Sequence, residues 1–203
     1  MKPRRGYTAE DYWNRPVSGF GDPRAGICLI GLAPGAHGAN RTGRPFTGDG
    51  AGDFMYPLLY QAGLANQAEA EHRGDGLELS NLYITNAVKC LPPENQPKGV
   101  EFENCRGYLQ DELEGLERLR VLITLGTGAH KSVLHLLKAR GEIERLADLP
   151  FGHGACFALP EGRWLIGCYH TSRYNVQTGR IDERMFLDVV DKALLLVSAE
   201  DSG

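Results

Sequence analysis

A long glycine-rich segment between a strand and a helix constrains the fold of this chain more than any other part of its sequence. Residues 26–30 are apolar and predict a short buried strand, whereas residues 52–63 have apolar side chains at helical spacing. The segment between them, residues 31–49, has the sequence GLAPGAHGANRTGRPFTGD. Loops of this length are rarely without a role in a compact domain, and glycine lets the backbone approach a ligand closely. The pattern therefore predicts a functional loop after the first strand.

The rest of the chain continues this alternation of strands and helices. Further strands are predicted at residues 82–88, 120–125, 155–159 and 164–168, and further helices at 101–118, 126–138 and 181–198. Such alternation is typical of a mostly parallel sheet that is covered by helices on both faces. We therefore predict a single α/β domain at residues 25–203 with three layers, α/β/α. Residues 1–24 are predicted to form an N-terminal arm that packs on this domain.

The composition indicates a chain that can form a sizeable core and has no membrane-spanning segment. Of the 203 residues, 42% are hydrophobic, and no apolar run approaches the ~18 residues of a membrane-spanning helix. The formal net charge of -4 argues against a surface that is basic throughout, although it permits a local basic face. The first residues lack the apolar core of a signal peptide. We expect a cytoplasmic protein.

Polar side chains follow several predicted strands. In parallel α/β sheets the functional loops lie beyond the carboxyl ends of the strands. The loops that qualify are 31–49, 86–99, 126–131 and 169–180. Among their residues, Asp49 can activate water or stabilise positive charge on a sugar, and His170 can donate a proton to a leaving anion. Asn86 offers a donor and an acceptor together, as a nucleobase edge does.

Each of these residues also has a structural explanation. Asp49 precedes Gly50 and suits a turn, and Asn86 can satisfy backbone groups at a strand end. His170 can have a structural role, and Phe46 can belong to the core. The residue pattern alone therefore predicts a ligand-binding α/β domain. A nucleotide-binding or phosphate-binding domain remains an alternative, although neither a GxxxxGK[ST] motif nor a GxGxxG motif follows the strand.

A family resemblance narrows this prediction. The 31–49 segment, followed by TNAVKCLPPENQP and then by YHTSRYNVQTGR, resembles the uracil-DNA glycosylase superfamily. These motifs occur in the expected order, and the resemblance extends from the region of Tyr12 to the last helix. The chain is most similar to the iron–sulfur group called family 5, because its first motif begins GLAPG where the related family 4 typically has GEAPG. The resemblance implies a uracil-DNA glycosylase-like α/β/α fold.

The resemblance also implies an enzyme of base-excision repair. Such enzymes flip a nucleotide out of the duplex and hydrolyse the bond between a deaminated base and deoxyribose, which leaves an abasic site. The implied substrates are uracil, hypoxanthine and xanthine in double-stranded DNA, and we expect a monomer. The alternative is a non-catalytic DNA-binding module on the same fold, inactivated by divergence or by loss of the cluster discussed below.

Roles for individual residues follow from the same resemblance. Asp49 is implied to be the catalytic carboxylate, and Asn95 is a further active-site residue. His170 is implied to contact the base and to stabilise it as it leaves. The base is implied to stack on Phe46, while Asn86 matches the position that recognises the base in family 4. The remaining residues implied to form the base pocket are Gly31, Ala33 and Asn175.

A local basic set is expected to bind DNA phosphates despite the negative net charge, so that binding depends on salt. In the last motif Thr171 replaces the Pro of the superfamily's His-Pro-Ser pattern. The corresponding segment of the superfamily inserts into DNA beside the flipped base, and Arg173 and Tyr174 are the bulky candidates for that wedge. The expected DNA contacts are Arg41, Arg44, Lys89, Arg173, Tyr174 and Arg180.

The resemblance finally implies a 4Fe–4S cluster held by four cysteines. Cys90 and Cys105 match two of the ligand positions, and the other two belong to an upstream C-x-x-C motif that this chain lacks. The remaining cysteines, Cys28, Cys156 and Cys168, lie in apolar strand-like runs and are expected to be buried thiols. We therefore expect an N-terminal arm that is truncated relative to the family. The cluster is expected from the family, but it is short of two ligands in this sequence.

Overall fold

The computed structural model of the chain describes residues 2–199, in which a sheet lies between two layers of helices. Met1 of the predicted arm and residues 200–203 of the predicted domain lie outside the described residues. The strands are β1 Phe20–Gly21, β2 Ile27–Gly31, β3 Leu82–Asn86, β4 Val121–Leu125, β5 Cys156–Leu159 and β6 Arg163–Cys168. The helices are α1 Ala39–Thr42, α2 Gly50–Gln61, α3 Gly99–Glu114, α4 Gly126–Ala139, α5 Arg173–Gln177 and α6 Glu183–Ser198. Short 3-10 turns occupy Pro93–Asn95, Leu146–Asp148 and Pro160–Gly162.

The sheet is parallel at its centre and antiparallel at its edges. Its order is β1-β3-β2-β4-β6-β5, with β1 and β5 as the antiparallel edge strands. The prediction of a mostly parallel α/β/α domain is confirmed. The register pairs Gly31 of β2 with Asn86 of β3, and Leu125 of β4 with Cys168 of β6. The carboxyl ends of the central strands are therefore level, and the loops that follow them leave from one edge.

Both faces of the sheet are buried. On β2, Ile27 and Leu29 pack into the core formed with α2 and α6, whereas Cys28 and Ile30 pack into the core formed with α3 and α4. All of these side chains are fully buried. Because parallel strands covered on both faces need apolar residues throughout, they appear in the sequence as continuous apolar runs.

The arm and the last loop contain regular structure that the sequence analysis did not predict. The arm supplies β1, which pairs with β3 at one edge of the sheet. The 169–180 segment was predicted to be a loop, but it contains α5. That helix begins because the Ser172 hydroxyl accepts a hydrogen bond from the backbone N–H of Asn175 and caps the first turn.

The arm lies against the loops that follow β2 and β3. The N–H groups of Trp13 and Asn14 donate to the carbonyl oxygens of Arg41 and Asn40, at 2.9 Å and 3.1 Å. The N–H of Val17 donates to the backbone carbonyl oxygen of Lys89, in the loop after β3, at 2.7 Å. The arm is thus hydrogen-bonded to both loops at the carboxyl edge of the sheet.

Candidate active site

The floor of the candidate site forms where β2 and β3 end. A Cβ added to Gly31 would lie 2.4 Å from the Asn86 Oδ1 atom and 2.5 Å from the Phe46 Cζ atom. Since real side chains do not tolerate such distances, only glycine permits the Asn86 amide and the Phe46 ring to meet above this strand end. The parallel register, which pairs Gly31 with Asn86, is the structural origin of this arrangement.

Asn86 has an unsatisfied acceptor in this floor. The residue is 2% exposed, and within residues 2–199 its buried Oδ1 atom has no hydrogen-bond partner. Leaving a buried acceptor unpaired costs about 1–3 kcal/mol, so such atoms are uncommon unless a ligand satisfies them. The Asn86 amide is therefore suited to accept a hydrogen bond from a ligand that enters between it and Phe46.

Phe46 is held in a strained backbone conformation. Its φ is 52°, in the left-handed region that bulky residues avoid at a cost of about 1–3 kcal/mol. The Tyr56 hydroxyl donates to the Pro45 carbonyl at 2.9 Å, and Gly52 leaves room for the Phe46 carbonyl. The centroid of the Phe46 ring lies 6.2 Å from that of His170. The packing thus places an aromatic face between the amide and the imidazole.

Asp49 caps α2 with one carboxylate oxygen, and its other oxygen takes no part in the cap. Its Oδ1 atom accepts hydrogen bonds from the N–H groups of Ala51 and Gly52, at 3.0 Å and 3.2 Å. Its Oδ2 atom faces Gly35 and Gly38, where an added Cβ would lie 3.1 Å and 1.9 Å from it. Gly35 and Gly38 therefore leave room for the Asp49 carboxylate, and the capping hydrogen bonds determine the orientation of that carboxylate.

His170 has a defined neutral form. Burial lowers the pKa of His170 below its usual value, and the negative charge of Asp49 opposes this shift only in part. The Nδ1 atom accepts a hydrogen bond from the backbone N–H of Ser172 at 3.0 Å. Because Nδ1 is the acceptor, the neutral ring holds its proton on Nε2. Within the described part of the chain the Nε2 atom has no hydrogen-bond partner, so it remains a free donor.

Asn175 holds the backbone of the His170 segment. Its side-chain Nδ2 group donates to the His170 carbonyl oxygen at 2.8 Å, and its N–H donates to Ser172. Its contacts therefore differ from those expected of a residue that lines the base pocket, since the Nδ2 donor of its amide is used to position the His170 loop.

The structure does not bring Asn95 into this cluster. Asn95 is exposed on a 3-10 turn, and both it and Glu94 have positive φ values, of 57° and 53°. In residues 2–199 no hydrogen bond joins its side chain to the other predicted catalytic groups. Ala33 lies in the 31–49 loop, half-buried, just beyond the strand end.

Several of the predicted DNA-contacting residues lie at the surface beside this site. Arg173, Tyr174 and Arg180 are exposed, and Tyr174 retains 74% of its accessible surface. An added Cβ at Gly50 would lie 2.9 Å from the Arg173 Nε atom, so this guanidinium lies next to the start of α2. Arg41 is half-buried, and its Nε group donates to a carbonyl of its own loop.

Arg44 and Lys89 require a correction. Arg44 is 3% exposed and makes a bidentate pair with Asp75, at 2.7 Å and 2.6 Å. Lys89 is 5% exposed, and its ammonium group contacts Glu112 at 2.5 Å and the Thr85 hydroxyl at 2.7 Å. Both cations are neutralised inside the protein, so we remove them from the set expected to contact DNA phosphates.

Cys90 and Cys105 are neighbours, as their predicted role requires. The backbone N–H of Lys89, the residue before Cys90, donates a hydrogen bond to the Cys105 Sγ atom at 3.4 Å. Burial, the Cys105 thiol and Glu101 together raise the pKa of Cys90. Within residues 2–199, however, no group of three or more His, Cys, Asp or Glu side chains is arranged to hold a metal ion. Two thiolates do not make the four-cysteine set of a 4Fe–4S cluster, so the described residues do not fit this group alone.

A contact between the arm and the 31–49 loop supports that loop and was not predicted from the sequence. The Tyr12 hydroxyl and the His37 Nδ1 atom lie 2.7 Å apart, and their rings meet edge to face with centroids 6.0 Å apart. His37 immediately precedes Gly38, which faces the Asp49 carboxylate. The aromatic residues of the arm were an available signal, but their partners in the loop are not apparent from the sequence.

Comparison with known proteins identifies the class of this fold and site. The family profile of the Uracil DNA glycosylase superfamily matches residues 18–194. Since the match covers most of the chain, the chain belongs to the uracil-DNA glycosylase superfamily. In the described residues, no helix is both long enough and apolar enough to cross a membrane.

Individual relatives refine this placement. The chain is 49% identical over 190 residues to the type-5 uracil-DNA glycosylase of Thermus thermophilus, across 94% of this chain and 84% of the relative. It is 40% identical over 198 residues to the type-5 enzyme of Mycobacterium bovis, across 97% and 72%. A type-4 uracil-DNA glycosylase of Pyrobaculum aerophilum is 34% identical over 147 residues, across 72% and 64%. The predicted similarity to family 5, with family 4 more distant, is confirmed.

Proposed function

We propose that this protein is a monofunctional DNA glycosylase that removes uracil from DNA and leaves an abasic site. The observation that supports this most directly is the buried, unpaired Oδ1 atom of Asn86 beside the Phe46 ring. A flat ring with a polar edge is the kind of ligand that satisfies both groups. The family membership and the names of the relatives supply independent support.

The proposed recognition of the base uses the amide of Asn86. Uracil presents an N3–H donor next to its O4 acceptor, and the Oδ1 and Nδ2 atoms of an amide complement this pair. Cytosine presents the reverse order, because N3 is an acceptor and its amino group is a donor. Hypoxanthine and xanthine also present an N–H donor beside a carbonyl oxygen. We therefore include them as further substrates, with Phe46 as the stacking face.

The proposed leaving-group stabilisation comes from His170. When the glycosidic bond breaks, its electrons move onto the base, and negative charge develops on the uracil O2 oxygen. A neutral imidazole whose proton is on Nε2 can donate a hydrogen bond to that oxygen. The hydrogen bonds of Ser172 and Asn175 hold the ring and its backbone in position before the charge develops.

The proposed role of Asp49 is on the sugar side. As the base leaves, positive charge develops at C1′, and water adds there to complete hydrolysis. The Oδ2 atom of Asp49 is the oxygen not used for capping, so it can stabilise this charge or orient the water. None of the groups in this cluster is a lysine amine, and the one lysine among the predicted contacts, Lys89, is paired inside the protein. We therefore propose that the product strand stays intact.

The proposed substrate is double-stranded DNA, bound by a monomer in the cytoplasm. The exposed Arg173 and Tyr174 on α5 are suitably placed to enter the duplex beside the flipped base. Asn95, on its exposed turn, is proposed to reach the site only when DNA is bound. Apo structures often hold such catalytic contacts apart, and they form in the complex.

For the cluster, we propose that Cys90 and Cys105 are two of the ligand positions. Because the described residues arrange no group of three or more potential metal ligands, protein made from this sequence is expected to contain less than one cluster per chain. Iron and sulfide analysis tests this expectation. Four iron atoms per chain would contradict it, and the loss of that iron in Cys90→Ser would then identify the site.

The decisive test is base release from duplexes that contain uracil, hypoxanthine or xanthine. Asp49→Asn is the sharpest variant, because Asn is about as good a helix cap as Asp and we therefore expect the fold to be retained. We expect a loss of at least about 100-fold in the single-turnover rate, with duplex affinity nearly unchanged. Equal rates for this variant and the wild type would contradict the mechanism.

The same assay separates the alternative of a non-catalytic DNA-binding module. Such a protein would bind duplexes without releasing any of the bases. Asn86→Ala and His170→Ala should each reduce release, whereas Arg145→Ala, which changes an exposed side chain after α4, is the matched control. Wild-type protein that binds DNA and releases no base would favour the module.

A further inference from the structure

A groove between α3 and α4 lies outside the site described above. It has a volume of about 500 Å³ and is lined only by side chains and glycines of these two helices. From α3 it receives Phe102, Glu103 and Arg106, and from α4 it receives Lys131 and His135. The groove is therefore mainly basic, with an aromatic ring in its wall.

The cations of this groove lack the carboxylate partners that three other cations of the domain have. Arg44, Lys89 and Arg163 each form ion pairs with carboxylates. By contrast, within the described chain neither Arg106 nor Lys131 has an ion-pair or hydrogen-bond partner for its side chain. Arg106 is half-buried against the protein, and no carboxylate of the described residues forms an ion pair with its guanidinium. A half-buried cation without a partner is suited to bind an anionic ligand.

The groove begins next to the candidate active site. A Cβ added to Gly128 would lie 2.7 Å from the Leu32 Cδ1 atom, and Leu32 follows Gly31 in the site floor. At Gly126, the first residue of α4, an added Cβ would lie 3.5 Å from the His170 Cβ atom. From Gly128 to His135 the helix rises about 10 Å, which matches about three nucleotides of a DNA strand at ~3.4 Å each.

We propose that this groove binds the phosphate backbone of the substrate strand on one side of the flipped nucleotide. This inference rests on the proposed function, since it extends the DNA-binding surface from the pocket along α4. Arg106 and Lys131 neutralise backbone phosphates, and Phe102 packs against a sugar or base. Glu103, at the same groove, opposes the binding of phosphate.

The first test is the salt dependence of binding. Duplex affinity is measured by fluorescence anisotropy between about 50 and 200 mM NaCl, a range over which binding to phosphates weakens strongly. The full chain is compared with Arg106→Gln/Lys131→Gln, in which both side chains stay polar and lose their charge. We expect the affinity to fall by about tenfold, and the negative slope of log K against log salt to become less negative by about 2. Arg118→Gln is the matched control, because Arg118 is an exposed cation at the opposite edge of the sheet. Unchanged affinity and slope in the double variant would overturn the proposal.

A substitution of opposite sign sharpens this test. Glu103→Gln should raise duplex affinity by a few-fold, because it removes the negative charge from the groove. Lower affinity in Glu103→Gln would contradict the groove as a phosphate site. In excision assays the double variant should raise KM and leave kcat within about twofold, since its contacts are made equally in the ground state and the transition state.

Shortened duplexes locate the contact along the strand. One duplex lacks the nucleotides on the 5′ side of the uracil, and the other lacks those on the 3′ side. The defect of the double variant should disappear with one of these and persist with the other. Equal defects with both would overturn the proposal. Uracil release by the wild type is scored separately, so its absence would contradict the proposed function and not the groove.

Discussion

The back of the 31–49 loop and the exposed edge beside it both contain arginine, and the two regions use it differently. Arg44 lies behind the loop, 3% exposed, with its guanidinium held by the Asp75 carboxylate. Arg173 lies in front, exposed at the start of α5 next to Gly50. The first side chain connects two segments of the protein, and the second is available to a partner. The surroundings of a cation, and not its type or its place in a motif, therefore decide whether it is available to DNA.

Removing the buried cation should have the largest effect. Arg44→Met leaves the Asp75 carboxylate buried without its partner, so the free energy of unfolding should fall by about 3–5 kcal/mol. Urea unfolding measures this loss. The double variant Arg44→Met/Asp75→Asn should lose less than the sum of the single variants, because the two residues form one interaction. Strict additivity would show that the pair is not coupled.

Acid should weaken the same pair. Burial alone raises the pKa of Asp75, but hydrogen bonds from Arg44 and from the N–H groups of Leu77, His72 and Glu71 outweigh it and hold that pKa well below its usual range. A depressed carboxylate pKa contributes stability above the unfolded value, about 3.9, and that stability is lost as pH falls toward the folded pKa.

The difference in unfolding free energy between wild type and Asp75→Asn should therefore be constant from pH 7 to about pH 5 and shrink below about pH 4. Urea unfolding at several pH values gives this difference directly. A difference that grows on acidification would have the wrong sign for a stabilising, ionised Asp75.

Removing the exposed cation should have the smallest effect on the fold. Arg173→Ala should change the free energy of unfolding by no more than about 0.5 kcal/mol. Its duplex affinity should fall a few-fold, and the negative slope of log K against log salt should become less negative by about 1. Anisotropy titrations and urea unfolding on the same protein preparation provide both numbers. If Arg173→Ala instead destabilised the fold as Arg44→Met does, the contrast between the two regions would not hold.

Much of the fold was predictable, because apolar periodicity is local information. The strand positions and the α/β alternation followed from it, and the parallel arrangement then placed the loops at one edge. Asn86 and Gly31 could be assigned to that edge for the same reason. The unpaired state of the Asn86 Oδ1 atom was not predictable, because it depends on how the Phe46 ring packs in three dimensions.

The misassigned cations show where sequence reasoning ends. Asp75 lies 31 residues after Arg44, in a polar stretch with no distinguishing pattern, and Glu112 lies 23 residues after Lys89. Pairing over such separations is decided by tertiary structure, so a basic residue inside a DNA-binding motif can be internal. Asn95 is a different case from these two cations. Its proposed role rests on the family resemblance alone, because no contact within residues 2–199 joins it to the site.

The hydrogen bonds between the arm and the site loops have a consequence for motion. The N–H groups of Trp13, Asn14 and Val17 can exchange with solvent only when the arm leaves the loops. Their exchange rates therefore report how often this edge opens, and the arm and both loops should exchange as one cooperative unit. A ligand in the site that favours the closed edge should slow these amides together, although none of them contacts the ligand.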